Sequence, residues 1–223
     1  MESKLIYLIS KARQNVLELM DYNGYDTTEY NNFTKSEVNA MNFNQQLDMI
    51  LTKHTDHTKI FIKFELGKKT AALIDTLREE YFPPTDEEEE DMKSEASEYP
   101  LTKNDILYVI FQSDPNQSVV NRLKHIWETD GIYIVPQSLM RLQFNILRHK
   151  LVPPHRIMSP KEVQDLKQKR HLKLEELPRI SRFDPVAQAI CIKPGEVCEI
   201  MRASRNSIVS QYYRVCVNMD FAM

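Results

Sequence analysis

Three groups of residues in this chain could do chemistry. His54 and His57 of the stretch HTDH, with Asp56 beside them, would share a face if the segment were helical and could begin a metal site. A metal needs three convergent ligands and usually partners that orient them, so a solvated turn is the expectation here. The second group is Asp48, Glu65 and Asp75 with Lys63. A magnesium-dependent nuclease needs an acid and then an acid-x-lysine triplet on a strand, to hold the metal and activate water. The strand here reads Lys63-Phe64-Glu65, the reverse order, so these carboxylates are assigned to solvated faces or caps. The third group is LPRISRFDP, residues 177–185, with two prolines, two arginines and an aspartate. Prolines reduce the conformational freedom lost on docking, so this segment reads as a pre-shaped binding turn between a helix and a strand. In the binding reading Arg179 and Asp184 are both docking groups; in the ordinary one Arg179 is a solvated loop charge and Asp184 caps a turn.

Other chemistry is excluded by pattern. The four glycines, Gly24, Gly67, Gly131 and Gly195, are too scattered for a phosphate-binding loop. No serine or cysteine stands in a nucleophile motif. Cys191, Cys198 and Cys216 are few, odd in number and without a CxxC pair, which fits core residues on strands in a reducing compartment. No catalytic residue and no bound cofactor or metal is expected, and the protein is expected to be intracellular.

The elements that position these residues follow from periodicity. Leu5, Leu8, Ile9, Ala12, Val16, Leu19 and Met20 recur at helical spacing, and Gly24 offers a left-handed cap. Residues 27–44 read as loop and short helix. Lys59 to Leu66 reads as a strand, and KKTAALIDTLREEYF as a helix ended by Pro83-Pro84. DILYVIF is apolar enough for a buried strand, followed by helix NQSVVNRLKHIWE and strand GIYIV. This alternation predicts a mixed sheet with helices. After Phe144 the chain changes character. Ser159-Pro160-Lys161-Glu162 opens a helix as N-cap, first-turn proline and capping-box glutamate. PVAQAICI, EVCEIM and SQYYRVCV read as three strands, with Pro194-Gly195 turning between the first two. The fold class is therefore α+β or mixed α/β in two domains, 1–146 and 147–217, with a tail at 218–223.

The 223 residues carry a net charge of −3, and that average hides a split. Asp86 to Glu98 holds eight acidic residues and one lysine, so this stretch is expected to be a disordered, solvated insertion at about 84–99. From Lys150 to Val217, thirteen Lys/Arg face seven Asp/Glu. A basic module of this kind favours nucleic acid or an acidic protein surface. The N-terminal stripe is interrupted by charges and is neither a signal peptide nor a membrane span.

Leu151, Val152, Pro153 and His155, then Leu177 to Ile180, Asp184 to Val186, Lys193, Gly195 and Val197, closely resemble in order and spacing the C-terminal assembly domain of subunit 5 of eukaryotic RNA polymerases and its archaeal equivalent. About 70 residues share the pattern. The first part resembles the family's N-terminal jaw domain in plan, with a long helix leading to Gly24-Tyr25. The family's Thr-Pro-Ser-Ala helix start, which faces downstream DNA, falls here on Asp114-Pro115-Asn116-Gln117-Ser118, and the motif itself is lost. The family's Ala-Arg-Tyr-x-Gly becomes Ala187-Gln188-Ala189-Ile190-Cys191, and RASRNSIVSQ replaces a glycine turn. Such divergence resembles the polymerases of large cytoplasmic DNA viruses.

The resemblance implies a non-catalytic subunit of a DNA-directed RNA polymerase, a nucleotidyltransferase complex. Its partners would be the largest subunit, other polymerase subunits and downstream duplex DNA, with no membrane and no homo-oligomer. Magnesium would reside in the large subunits. Docking would use Pro178, Arg179, Ile180, Asp184, Pro185, Lys193, Gly195 and Arg202, and DNA would lie near Asn116, Gln117 and Ser118. The location would be the nucleus for a cellular protein, or host cytoplasm and virion for a viral one. The alternatives are a free-standing nucleic-acid-binding factor with a degenerate nuclease fold, which predicts steeply salt-dependent binding by the isolated chain, and an active nuclease.

Overall fold

A long helix, α1 (Glu2–Tyr22), opens the chain in the computed structural model, which describes residues 2–67, 70–83, 100–204 and 206–219. Its buried positions Ile9, Ala12, Val16, Leu19 and Met20 are the apolar stripe of the sequence. Gly24 ends it at φ +84°, and the Tyr25 N–H donates to the Met20 carbonyl at 3.0 Å. A short helix, α2 (Lys35–Phe43), comes next behind a capping box made by Thr34 and Glu37.

The first sheet comprises β1 (Met49–Thr52), β2 (Lys59–Glu65), β3 (Ile106–Phe111) and β4 (Tyr133–Ser138), hydrogen-bonded in that order. β1 runs antiparallel to β2, whereas β2, β3 and β4 are mutually parallel, which makes the sheet mixed. Every residue of β3 and β4 is buried, as continuous apolar strands in a covered parallel sheet should be. Crossover helices α3 (Ala71–Tyr81) and α4 (Gln117–Asp130) pack against each other. Ion pairs Asp75–Arg122 and Arg78–Asp130 join them. Strand β1 is not foreseen by periodicity. Its four residues, Met-Ile-Leu-Thr, are too few for a period to emerge.

The chain divides into two compact units, Met1–Gln143 and Phe144–Met223. The second unit holds β5 (His155–Ile157), α5 (Pro160–Arg170), β6 (Arg179–Ser181), α6 (Pro185–Ala189), β7 (Val197–Ser204) and β8 (Ile208–Val217). Its sheet has the order β5-β7-β8-β6, with β6 parallel to β8 and the other pairs antiparallel. Both faces are packed. Ile180, Ala187, Ile190, Ile192, Cys198, Ile200 and Cys216 form one cluster, and Leu177, Val197 and Val215 form another. Alternation along β8 sends Cys216 to the first and Val215 to the second. The architecture is α+β, as the sequence predicts.

Two local expectations are corrected. PVAQAICI is not a strand: residues 185–189 are helix α6 and residues 190–192 leave it through a turn. Asp184 as N-cap and Pro185 as the first helical residue dictate this start, overriding the apolar alternation of residues 186–192. Accordingly Cys191 sits in a left-handed turn (φ +54°) rather than on a strand. Asn218 and Met219, expected in a tail outside the second domain, are both tied to the body. Ser181 Oγ donates to the Met219 carbonyl, and an Arg182 N–H donates to Asn218 Oδ1. The acidic run and residues 220–223 lie outside the described residues.

Candidate docking surface

The framework of the second unit starts at a cap. Ser159 accepts from the Glu162 N–H, and Glu162 Oε2 accepts from the Ser159 N–H at 2.8 Å. Arg156 on β5 then bridges Glu162 (2.9 Å) and Glu199 of β7 (2.7 Å). The Ser159 backbone and side-chain donors, with Arg156 after them, hold the Glu162 carboxyl down at about 2. One arginine therefore ties the helix start to two strands. His155 begins β5 in a buried position with Nδ1 2.6 Å from the Pro153 carbonyl, which can only accept, so Nδ1 carries the proton. Burial depresses its pKa and keeps the imidazole neutral. His155 of the Leu-Val-Pro-x-His stretch thus serves structure.

LPRISRFDP is resolved into a short strand and a helix entry. Pro178 and Arg179 are exposed, whereas Ile180 is 4% exposed and belongs to the core. Ile180 therefore offers no side chain to a partner, because alternation along β6 points it inward. The two arginines also part company. Arg179 is exposed, but Arg182 is 2% exposed, covers the Phe183 ring and bonds Asn218. Arg182 holds the end of the chain against the sheet and is not a docking group. Asp184 Oδ1 accepts from the Val186 N–H at 2.8 Å and the Ala187 N–H at 3.4 Å, so it caps α6, with Pro185 exposed beside it. Lys193 and Gly195 shape the next turn. The Lys193 N–H donates to Glu196, and Gly195, at φ +94°, donates to the Cys216 carbonyl at 2.9 Å. A side chain at that φ would be strained, which explains the glycine.

Arg202 lies on the exposed part of β7 with its guanidinium 4.5 Å from the Tyr212 ring. Arg214, two residues along β8, lies 5.6 Å from the same ring. On the other face Arg170 stands 5.3 Å from the Tyr213 ring. Sequence reasoning missed Arg170 and Arg214. The pairing of Ile200 with Tyr212 and Cys198 with Arg214 gathers Arg214 with Arg202, and the packing of α5 brings Arg170 to Tyr213; no linear spacing encodes either. Of the expected docking residues, Pro178, Arg179, Pro185 and Arg202 present exposed surface. Gly195 is exposed as well, and Asp184 and Lys193 are half-buried.

In the first unit, Asn116, Gln117 and Ser118 are exposed at the start of α4. Asn116 Oδ1 already accepts from the Val119 N–H (3.0 Å) and the Ser118 hydroxyl (2.8 Å), so one helix-end donor is taken. Asp114 pairs with Arg141 at 2.8 Å close by, adding a carboxylate where a phosphate would need positive charge. The nuclease carboxylates serve structure: Asp48 accepts from the Phe64 N–H at 2.9 Å and Asp75 pairs with Arg122. Lys63 turns to Tyr81 (2.9 Å) and Glu80. His54 and His57 lie in the exposed Lys53–Thr58 turn, with His57 at φ +56°. Among the described residues, no three His, Cys, Asp or Glu side chains are grouped to hold a metal ion, and no helix is long and apolar enough to cross a membrane.

A scan against family models matches residues 144–216 to the C-terminal domain of RNA polymerase Rpb5. Over 75 residues the chain is 41% identical to the DNA-directed RNA polymerase subunit Rpo5 of Thermococcus celer, covering 34% of this chain and 92% of that protein. The Pyrococcus abyssi Rpo5 subunit is 44% identical with the same coverage. That of Methanosphaera stadtmanae is 38% identical over 74 residues, 33% of this chain and 96% of that protein.

Proposed function

The chain belongs to the Rpb5/Rpo5 family of DNA-directed RNA polymerase subunits, and on that premise we propose that its second unit docks on the largest subunit while its first forms part of the lower jaw along downstream DNA. The observation that carries this division is one of extent. The stretch shared with relatives spans almost their whole length, and the family match falls within a single compact unit of this chain. What a short subunit needs in order to join a polymerase is then contained in that unit, and the first unit is an addition with another task. Exposed Arg179 and Arg202 on a basic module suit an acidic groove on the partner. Phosphodiester chemistry and its magnesium belong, in this proposal, to the large subunits, and this chain contributes neither catalytic group nor cofactor.

For the jaw, Asn116, Gln117 and Ser118 are proposed to lie near the duplex rather than to grip it. The Asn116 cap and the neighbouring Asp114 weaken any phosphate site at that helix start. The isolated chain should accordingly bind DNA weakly.

The test is purification of the tagged full chain from cells that express its polymerase. Stoichiometric recovery of the largest subunit is the expected result. Recovery of the tagged chain without any large polymerase subunit would overturn the proposal.

A further inference from the structure

Among the described residues, the outer edge of β8 is unpaired over more than half its length. On one side β7 pairs with it from Ile208 to Val215. On the other side β6 covers only Val215, Cys216 and Val217. The Val215 N–H donates to the Pro178 carbonyl at 3.0 Å, which fixes the parity of the strand: Val215, Tyr213 and Gln211 turn their backbone groups away from β7. In this parallel register the N–H that would reach the Tyr213 carbonyl belongs to residue 178, and a proline has none. The ladder stops there, and the chain before it curls into a 3₁₀ turn at Leu174–Glu176. No strand among the described residues pairs with the outward N–H and C=O groups of Gln211 and Tyr213.

Four arginines flank this edge. Arg202 and Arg214 bracket Tyr212 on one face of the sheet. On the other, Arg170 covers Tyr213, and Arg179 stands in register with Val215 where β6 begins. None of the four forms an ion pair among the described residues. Proteins blunt bare edges with charge when they are to stay free, but a one-sign arginine rim also selects a partner of the opposite sign.

We propose that an extended, acidic segment of another polymerase subunit adds to β8 in line with β6. Its backbone would pair with Gln211 and Tyr213, and alternate side chains would place carboxylates against Arg202 and Arg214 on one face and Arg170 and Arg179 on the other. A polypeptide fits this site and a nucleic acid does not. The edge alternates donors and acceptors, whereas a phosphate chain offers acceptors alone. The inference rests on the assembly function proposed above and specifies how its docking is achieved.

Gln211 separates backbone from side-chain recognition. Gln211→Pro removes an outward N–H and leaves the β7 ladder its donors, as proline at a sheet edge does. Gln211→Ala keeps the N–H. With the tagged full chain, Gln211→Pro is expected to lower recovery of polymerase subunits by about tenfold while Gln211→Ala matches wild type. Equal recovery of all three would overturn the edge pairing. Because proline can disturb the hairpin, hydrogen exchange of the wild-type chain, free and within the purified polymerase, supplies the second measurement. The Gln211 and Tyr213 amides should slow by about tenfold or more on assembly, and unchanged exchange would overturn the proposal. So would slowing of the same amides by a short DNA duplex alone, or self-association of the free chain that Gln211→Pro abolishes. Failure of the wild-type chain to recover any polymerase subunit counts instead against the assembly function itself.

Discussion

The two units handle their charges and their sheet edges differently. In the first, β3 is buried along its whole length, and the crossover helices are pinned by Asp75–Arg122 and Arg78–Asp130. In the second, Arg170, Arg179, Arg202 and Arg214 stand without an acidic partner among the described residues, and β8 keeps an open edge. The second unit does pair charges where its own frame needs them, at Arg156, Glu162 and Glu199. Its unmatched arginines are therefore concentrated along one strand edge rather than spread over a loosely built module. In the proposed docking, local stability and partner recognition are served by separate residues.

That contrast can be broken at several points. The largest effect is expected in the first unit, where Leu107→Ala empties a fully buried site on β3. A loss of about 3 kcal/mol is predicted, read from the denaturant midpoint of this unit's transition. A shift worth less than about 1 kcal/mol would show that β3 is not central to that unit's stability. In the second unit, the buried thiols of Cys198 and Cys216 are pushed up by desolvation to about 11 and about 12. The unfolded chain then loses these protons first, so they leave stability unaffected below the ordinary thiol range and reduce it as pH rises from there to their folded values. The decline is bounded at about 1.4 kcal/mol per pH unit for each thiol. Melting curves at increasing pH, compared with Cys198→Ala and Cys216→Ala, measure it. A dependence untouched by both substitutions would contradict the assignment.

Asp184→Ala removes the cap of α6 and should cost about 1 kcal/mol, whereas Asp184→Asn should restore most of it. Equal losses in the two variants would mean that charge, not capping, is what Asp184 supplies. Arg179→Glu is expected to change stability least, within about 0.5 kcal/mol, because the side chain is exposed and free of ion pairs among the described residues. Its effect should appear instead as weakened recovery of the polymerase. Undiminished recovery would remove Arg179 from the docking surface.

Much of the fold is legible where one residue type has one physical use. Ser159-Pro160-x-Glu162 announces a helix start, and six apolar residues from Ile106 announce a buried strand. Legibility fails where tertiary pairing decides. Three-residue strands such as β5 and β6 carry no period, and the bare edge follows from the register that sets Pro178, which has no N–H, at the start of the β6–β8 ladder. The start of α6 is misread when apolar alternation in VAQAICI is weighed above the Asp-Pro pair before it. Of the two arginines in LPRISRFDP, the sequence does not tell the exposed one from the buried one. β6 alternation and the position of Asn218 separate them.

The measurement that bears most directly on the division of labour is a paired co-purification, with residues 144–223 and residues 1–143 tagged and expressed separately. The second unit alone should recover the largest polymerase subunit, and the first unit alone should recover none. Recovery of the largest subunit by the first unit, with none by the second, would contradict the account.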